Sequence, residues 1–244
     1  MLGFDNVFAD SLPQNSQFLR VTEKLYRAAL LHYRTAPTNV DVVVQFARAS
    51  FDRAEFAVNS GERADLAEPA INACEHGLTI NEKCAALHYY LALNLGQLAR
   101  TKSLGALKLV RQMETEFVRA IELNSEFDYA GPDRNLGMLY LEAPGWPTSI
   151  GNHSKARQHL MRAVQIAPDY PENHLDLLEA YLKLNDDDGA QREAQRLFAL
   201  LPNARKKFTG EEWASSWADW DGRWHILEAK LGEKPHSQSP HNRK

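Results

Sequence analysis

The sequence predicts an all-α protein built from repeated pairs of helices, and three observations carry this prediction. Apolar residues recur at helical spacing through most of the chain. No segment competes as a strand, because the β-branched run Val42–Val44 begins a stretch with helical periodicity. A set of small and apolar residues also recurs after 34 residues: Ala156, Leu160, Ala163 and Pro168, then Ala190, Ala194, Leu197 and Pro202.

A 34-residue period with these offsets is typical of tetratricopeptide repeats. Two helices cross closely only where their side chains are small, and proline does not continue the helix before it. Moving the offsets back by 43 residues, twice, gives two earlier copies of the second helix: Met113, Phe117 and Ala120, then Ala70, Cys74 and Gly77. The first helices repeat as well: Phe46-Ala47, Leu91-Ala92, Leu136-Gly137 and Leu177-Leu178.

The predicted fold is a tetratricopeptide-like α-α solenoid of four helix pairs, with an added N-terminal helix from Gln17 to Tyr33. A Trp-rich helix closes the C-terminal end, and Thr209 with Glu212 forms a capping box at its start. Its apolar residues follow helical spacing and indicate core packing: Trp213, Trp217, Trp220, Trp224, Leu227 and Leu231. We predict a flexible N-terminus (1–16), one solenoid domain (17–231) and a disordered tail (232–244).

Composition excludes several classes of function. The formal charge of −4 argues against a protein held to nucleic acid by phosphate contacts. The chain lacks an apolar run of the roughly 18 residues that a membrane span needs, so we expect no span. Met1–Asn15 shows no secretory leader. Cys74 and Cys84 are either two small buried residues or one disulfide across a turn, which would imply an oxidising compartment.

Several segments resemble the TatT component family of TRAP (tripartite ATP-independent periplasmic) transporters. They span roughly Val40 to Pro202, and the Pro-Gly-Trp-Pro insert is their most specific part. The segments are Leu87–Gly96, Gly131–Gly137, Ala143–Pro147, Ile150-Gly151, Ser154–Ala156 and Ala167–His174. The resemblance implies a lipid-anchored periplasmic protein that works beside the substrate-binding subunit of a TRAP transporter. Without a visible leader, the other location to expect is the cytoplasm.

In stacked helix pairs the first helices line the inner side, where a groove binds ligands. The candidate ligand-binding residues are Arg48, Phe51, Tyr89, Leu93, Asn94, Gln97, Arg134, Met138, Leu141 and Trp146. Arg48, Asn94 or Arg134 would orient a carboxylate or other polar end of a small organic ligand. In the alternative interpretation, the Trp-rich helix fills the groove, which includes Leu175, Glu179 and Leu182 in the last pair.

Two further features have open interpretations. The rigid turn Ala143–Pro147 either presents Trp146 to a ligand or partner, or packs it back on a neighbouring repeat. His88 and His174 hold equivalent repeat positions and are interpreted as structural. No metal, cofactor or catalytic motif is expected.

We therefore expect a non-catalytic binding protein that takes a small organic ligand as a TatT-like accessory component. The alternative is a scaffold that binds a partner protein or peptide in the same groove. The long turns within the first three pairs lie along one edge of the predicted stack. Such an edge can mediate self-association, so a homo-oligomer is a further possibility.

Overall fold

The computed structural model of the protein describes residues 12–102 and 105–233, which form ten α-helices and one 3-10 helix. The α-helices are α1 (Leu12–Thr35), α2 (Val40–Ala54), α3 (Ser60–Ile80), α4 (Ala85–Ala99), α5 (Ala106–Leu123), α6 (Phe127–Glu142), α7 (His153–Ile166), α8 (Pro171–Lys183), α9 (Asp187–Lys207) and α10 (Ala214–Glu233). Most of the predicted flexible N-terminus and disordered tail lies outside the described residues. The helix α1 begins at Leu12, earlier than the predicted Gln17.

The chain divides into two compact units, one up to Ile166 and one from Ala167 onward. In the first unit α1 packs on α2, followed by the pairs α2/α3, α4/α5 and α6/α7. In the second unit α8 pairs with α9, and α10 packs on both. The order of four helix pairs, with one helix before them and one Trp-rich helix after them, agrees with the sequence prediction.

Side chains at the helix starts explain where several helices begin. Asn39 accepts hydrogen bonds from the backbone N–H groups of Asp41 and Val42 at the start of α2. Asn59 accepts from Glu62 N–H at the start of α3. Each asparagine satisfies N–H groups that have no partner within the helix itself. These caps specify the helix starts locally.

The repeated small-residue positions are buried in three of the four helix pairs. Ala70, Ala156 and Ala190 have no exposed surface, and Met113 at the same position is half-buried. The next positions of the repeat are equally buried: Cys74, Phe117, Leu160 and Ala194. The spacing therefore marks the helix contacts, as close crossing of helices requires.

The helix α9 runs through Pro202 to Lys207, although the sequence predicts that it stops at this proline. Proline removes one backbone hydrogen bond from a helix but does not forbid continuation when tertiary contacts compensate. Beyond Pro202, Ala204 and Phe208 are buried in a cluster with Trp220 of α10. The Thr209 capping box is also absent from the start of the last helix, because Gly210 holds the N-cap position of a 3-10 turn, η1 (Glu211–Trp213).

Both cysteines are free thiols. Cys74 is fully buried in α3, and burial raises the pKa of its thiol. Cys84 is half-buried and precedes α4 as its N-cap residue. Within residues 12–102 and 105–233, no helix combines the length and apolarity needed to cross a bilayer.

Candidate functional site

In the first unit, α4 packs between α2 and α6, so three first helices are neighbours. We call the surface that these helices share the first-helix face. It is where the sequence predicts a groove. Its polar centre contains Arg48 and Asp52 from α2, Tyr89 from α4 and Asp128 at the start of α6.

A left-handed turn opens α6. Asp128, Tyr129 and Ala130 have φ values of 50°, 55° and 64°, so three successive residues with side chains adopt the left-handed region. Such a conformation costs roughly 1–2 kcal/mol per residue. It persists only where surrounding contacts over-determine it, and such strain clusters at functional sites.

Tyr89, which precedes the turn in the chain, and Arg134, which follows it, both form hydrogen bonds to the turn. The hydroxyl group of Tyr89 donates to Asp128 Oδ2 at 2.6 Å. Arg134 donates to the backbone oxygens of Asp128 and Tyr129 at 3.4 Å, and its Nη2 lies 3.5 Å from Asp128 Oδ2. Asn135 donates to Tyr89 Oη at 3.2 Å. The segment Gly131–Gly137 therefore stabilises the turn through the hydrogen bonds of Arg134 and Asn135.

Gly131 is needed because Tyr89 approaches its backbone closely. A Cβ atom on Gly131 would lie 2.6 Å from Tyr89 Oη and 2.9 Å from Asp128 Oδ2. Both distances are shorter than a real Cβ contact allows. The glycine of the Gly131-Pro132 sequence thus permits the contact between α4 and the left-handed turn.

Arg48 and Asp52 are the exposed charges of this site. They are one helical turn apart, with Arg48 Nε 3.8 Å from Asp52 Oδ2, and their side chains are 68% and 41% exposed. Partial burial raises the pKa of Asp52 to about 6; Arg48 opposes this shift, and the negative charges of Asp128 and Glu55 add to it. The ionised form of Asp52 is therefore disfavoured mainly by burial, and Arg48 does not offset this effect.

The structure divides the candidate residues of the first-helix face into two groups. Exposed or half-buried side chains, which a ligand can touch, belong to Arg48, Phe51 and Met138. Buried side chains belong to Tyr89, Leu93, Asn94, Gln97, Arg134 and Leu141. Of the three groups proposed to orient a carboxylate, only Arg48 reaches solvent.

Asn94 and Gln97 are used inside the fold. The amide of Asn94 donates to the backbone oxygens of Ala47 and Tyr90 at 3.0 and 2.8 Å. Gln97 accepts from Arg63 and donates to Glu55, which ties α4 to α3 and to the end of α2. These side chains position the helices, and the one group they leave without a partner among the described residues, Asn94 Oδ1, is buried.

The sequence prediction did not include Asp52 and Asp128. A signal for Asp52 was present, since it lies four residues after Arg48 on the same helix face. No local signal marks Asp128, because its place depends on the left-handed turn and on Tyr89, 39 residues away.

Trp146 stands apart from the first-helix face. It is 88% exposed at the tip of the connection between α6 and α7. The connection is closed by backbone hydrogen bonds from Gly151 N–H to Pro144 O and from Asn152 N–H to Tyr140 O, both at 2.9 Å. Trp146 is therefore presented to solvent and does not pack on a neighbouring repeat.

In the second unit, α10 covers part of α8. Trp220 and Leu227 of α10 are buried in a cluster with Leu175 and Leu178 of α8. Arg223 of α10 binds Asp176 and also Glu179, the latter at 2.9 Å. Here the C-terminal helix occupies the face that includes Leu175, Glu179 and Leu182, as the alternative interpretation of the groove expects for the last pair.

A hollow of about 760 Å³ lies elsewhere in the first unit, lined by residues of α1, α2 and α3. Its lining is Leu19, Arg20, Glu23, Lys24, Arg27, Arg53 and Glu62. None of the candidate ligand-binding residues contributes to it. In the described part of the chain, no group of three or more His, Cys, Asp or Glu side chains is placed to hold a metal ion.

The buried helix-pair contacts define a tetratricopeptide-like helical repeat protein, a class whose members generally act as non-catalytic scaffolds. The chain belongs to the regulator of microtubule dynamics protein 1-3 family, which it matches over residues 8–130, half of its length. A tetratricopeptide repeat family matches residues 151–206. A comparison with curated proteins finds no match.

Solved structures of similar fold confirm the predicted all-α, tetratricopeptide-like solenoid. A thermophilic tetratricopeptide protein of Thermus thermophilus has 17% identity and a TM-score of 0.61, over 88% of this chain and 99% of its own. MamA has 18% identity and a TM-score of 0.52, over 74% of this chain and 89% of its own. At these identities the similarity shows the fold alone.

The resemblance to the TatT component of TRAP transporters is wrong, because both families that match and the similar structures point elsewhere. The physical reason lies in the residues that carried it. Leu87–Gly96 lies within α4, and Gly131–Gly137 supports the left-handed turn, so both serve helix packing. No TRAP substrate-binding subunit is shown as a partner. The periplasmic location depended on the resemblance alone and stays a prediction.

Proposed function

We propose that the protein is a non-catalytic scaffold that binds a segment of a partner protein on its first-helix face. The observation that carries the proposal is the pair of carboxylates Asp52 and Asp128, both accessible at the side chain, beside the exposed Arg48. Phe51 and Met138 add half-buried apolar surface to the same helices. A charged centre flanked by apolar side chains suits a peptide with a basic residue next to apolar ones.

The direction of charge favours a cation from the partner. Arg134 is committed to the left-handed turn, and Arg48 stands 3.8 Å from Asp52, at the outer limit of an ion pair. Burial is the main cause of the raised pKa of Asp52, and the ion pair with Arg48 does not outweigh it. A lysine or arginine of the partner would supply the missing positive charge and would favour the ionised carboxylate.

A selection of displayed random peptides on the full-length protein tests this function. We expect enriched peptides to combine Lys or Arg with apolar residues, and their binding to fall about tenfold or more when Asp52 is changed to Arg. Asp169→Arg is a matched control, because Asp169 is an exposed carboxylate of the second unit. Peptides that bind Asp52→Arg as well as the unchanged protein would overturn the proposal.

The small organic ligand of the sequence prediction is the competing outcome. Native mass spectrometry of the gently purified protein would reveal a retained molecule as a fixed added mass. If that mass disappears in Phe51→Asp and no peptide is selected, the first-helix face serves a small ligand.

The family name supplies the first macromolecular partners to try. Because the family is that of regulators of microtubule dynamics, we propose microtubules or proteins bound to them as the source of the partner segment. Co-sedimentation of the unchanged protein and Asp52→Arg with polymerised microtubules measures this directly. Equal sedimentation of both would show that the first-helix face does not make the contact.

A further inference from the structure

The N-terminal helix α1 exposes apolar side chains on the side away from α2. Tyr33 stacks on Phe46 of α2 with ring centroids 4.7 Å apart, which fixes the buried side of α1. On the outer side, Val21 and Leu25 are 50% and 55% exposed, and Ala28 is exposed too. Spacings of four and three residues place these side chains on one line along the helix. We call Val21, Leu25 and Ala28 the outer stripe.

Basic side chains accompany the outer stripe. Arg20, Arg27 and Arg34 recur at a spacing of seven residues and are exposed, and Lys24 lies between the arginines and the stripe. With Glu23 as its one acidic residue, α1 has a formal charge of +3, whereas the whole chain has −4. Glu23 pairs with Arg27 at 2.5 Å, and the remaining positive charge lies along one side of the exposed apolar line.

The 760 Å³ hollow adjoins this basic side, since Arg20, Lys24 and Arg27 contribute to its lining. Arg53, also in the lining, is 8% exposed and binds two carboxylates of the same lining, Glu23 at 2.7 Å through Nε and Glu62 at 2.5 Å through Nη2. Its Nη1 is buried and has no hydrogen-bond partner in the described structure. A hydrogen-bond acceptor that enters the hollow would satisfy this donor, while Arg20 and Lys24 of the lining supply the positive charge that favours a carboxylate.

We propose that α1 is a docking surface for an amphipathic helix of a partner protein, with apolar residues on its seam and carboxylates beside it. The apolar seam would cover the outer stripe, as in helix-on-helix packing with a seven-residue repeat. The carboxylates would face Arg34 and, beside the hollow, Arg20 and Lys24. This surface is separate from the first-helix face, so the inference goes beyond the proposed function.

Charge selects this occupant over a second copy of the same helix. Two α1 helices packed through their outer stripes would bring two segments of charge +3 together. Like charges at such distances are repulsive, whereas carboxylates opposite arginines are attractive and set the choice of partner.

The test uses two synthetic helical peptides of about three heptads with Leu at the seam positions. One carries Glu beside the seam and the other carries Lys at the same positions. Binding to the full-length protein is measured by fluorescence anisotropy at low and high salt. We expect the Glu peptide to bind at least about tenfold more tightly than the Lys peptide, and high salt to weaken it.

Variants locate the contact. Leu25→Asp and the double variant Arg27→Glu/Arg34→Glu should each weaken the Glu peptide about tenfold, because one interrupts the stripe and the other reverses the charge. All three side chains are exposed, so the fold should keep its helical circular dichroism. Phe198→Asp is the control, since Phe198 is a 67% exposed apolar residue on α9.

Three results would overturn the proposal. Equal binding of the Glu and Lys peptides would remove the charge argument, and full binding by Leu25→Asp would remove the outer stripe. Binding of phosphatidylserine-containing vesicles without binding of the Glu peptide would assign α1 to an anionic lipid surface. Asp52→Arg should bind the Glu peptide normally, so failure here is distinguishable from failure of the first-helix face.

Discussion

Asp133 Oδ1 and His159 Nδ1 form a hydrogen bond of 2.8 Å that joins α6 to α7. At the same repeat position of the second pair, His88 Nδ1 of α4 lies 2.6 Å from Glu116 Oε2 of α5. The carboxylate and the imidazole have therefore changed places between the first and second helices. The fourth pair returns to the order of the second pair, with His174 on α8 and Glu193 on α9, 2.5 Å apart.

Three of the four helix pairs thus keep a hydrogen bond between a carboxylate and an imidazole at these two positions, and either helix can carry the imidazole. In the first helix pair the same two positions are Val43 and Ala73, which are buried apolar residues. His88 and His174 each also contact a backbone oxygen of the preceding loop, of Glu82 at 2.9 Å and of Pro168 at 2.8 Å. Such contacts connect each helix pair to the loop that enters it.

Exchanging the residues of the third pair should restore most of the stability that either single change removes. We expect Asp133→His or His159→Glu alone to cost about 2–4 kcal/mol, because Asp133 is fully buried and each change ends its hydrogen bond with the half-buried His159. The double variant Asp133→His/His159→Glu should recover more than half of the loss, since it restores the order of the second pair. Urea unfolding of the four proteins measures the coupling, and additive losses would contradict it.

The contact between His88 and Glu116 should make stability depend on pH. Burial lowers the pKa of His88, but hydrogen bonds to Glu116 and to the Glu82 backbone oxygen outweigh it, so the pKa is raised. A raised histidine pKa stabilises the fold fully below the unfolded value of 6.5 and loses this effect as pH rises through the folded value. The free-energy difference between the unchanged protein and His88→Gln should therefore be larger at acidic than at alkaline pH. A constant difference would contradict the ion pair.

Asp52 should change stability with pH in the same direction as His88, over a more acidic range. Its pKa is raised from 3.8 to about 6, so the folded state binds the proton more tightly and stability falls as pH rises between these values. Asp52→Asn should remove that part of the pH dependence without changing the helical content. Carboxyl chemical shifts in NMR titrations measure the pKa directly, and binding of a basic peptide should lower it. A midpoint near 3.8 would contradict the site's electrostatics.

Arg223 should be the main polar contact that holds α10 on α8. Its guanidinium is 17% exposed and lies among Asp176, Glu179 and Asp219, at 3.6 Å from the last. Arg223→Ala should destabilise the second unit by about 3–5 kcal/mol, because three carboxylates lose their counter-ion. Tryptophan fluorescence follows this unfolding, because four of the five tryptophans lie between Trp213 and Trp224. Lys207→Ala removes an exposed ion pair and should cost at most about 1 kcal/mol.

Gly131→Ala should disrupt the left-handed turn. The added methyl group would overlap Tyr89 Oη and Asp128, so we expect a loss of about 1–3 kcal/mol in chemical unfolding. Gly222→Ala is the matched control on α10, where a Cβ atom meets nothing within 4 Å. That change should stabilise by about 0.5–1 kcal/mol, because alanine favours a helix interior. Equal effects at both sites would contradict the close approach of Tyr89.

The helix pairs could be predicted from the sequence because their signals are local or periodic. Ala70, Ala156 and Ala190 are buried where the offsets predict helix contacts. The equivalence of His88 and His174 was visible in the same way. The exchanged pair of Asp133 and His159 was not, because a residue-by-residue comparison of repeats treats the exchange as two unrelated substitutions.

The candidate site was predictable only in part. Arg48 and Phe51 lie on the first-helix face at accessible positions, as helical spacing indicates. Arg134 lies on that face too, but the left-handed turn takes up its hydrogen bonds. Helical spacing says which way a side chain points and not whether another part of the chain has already bound it.

The sequence by itself determined the all-α class, the number of helix pairs and the Trp-rich closing helix, because each depends on spacing along one helix. Only the tertiary structure decided that α9 continues past Pro202, that Trp146 stands in solvent and that Asp128 adopts a left-handed turn. These features depend on contacts between residues far apart in the chain. A hydrogen bond such as that from Tyr89 to Asp128 can outweigh a local backbone preference, and no local pattern records it.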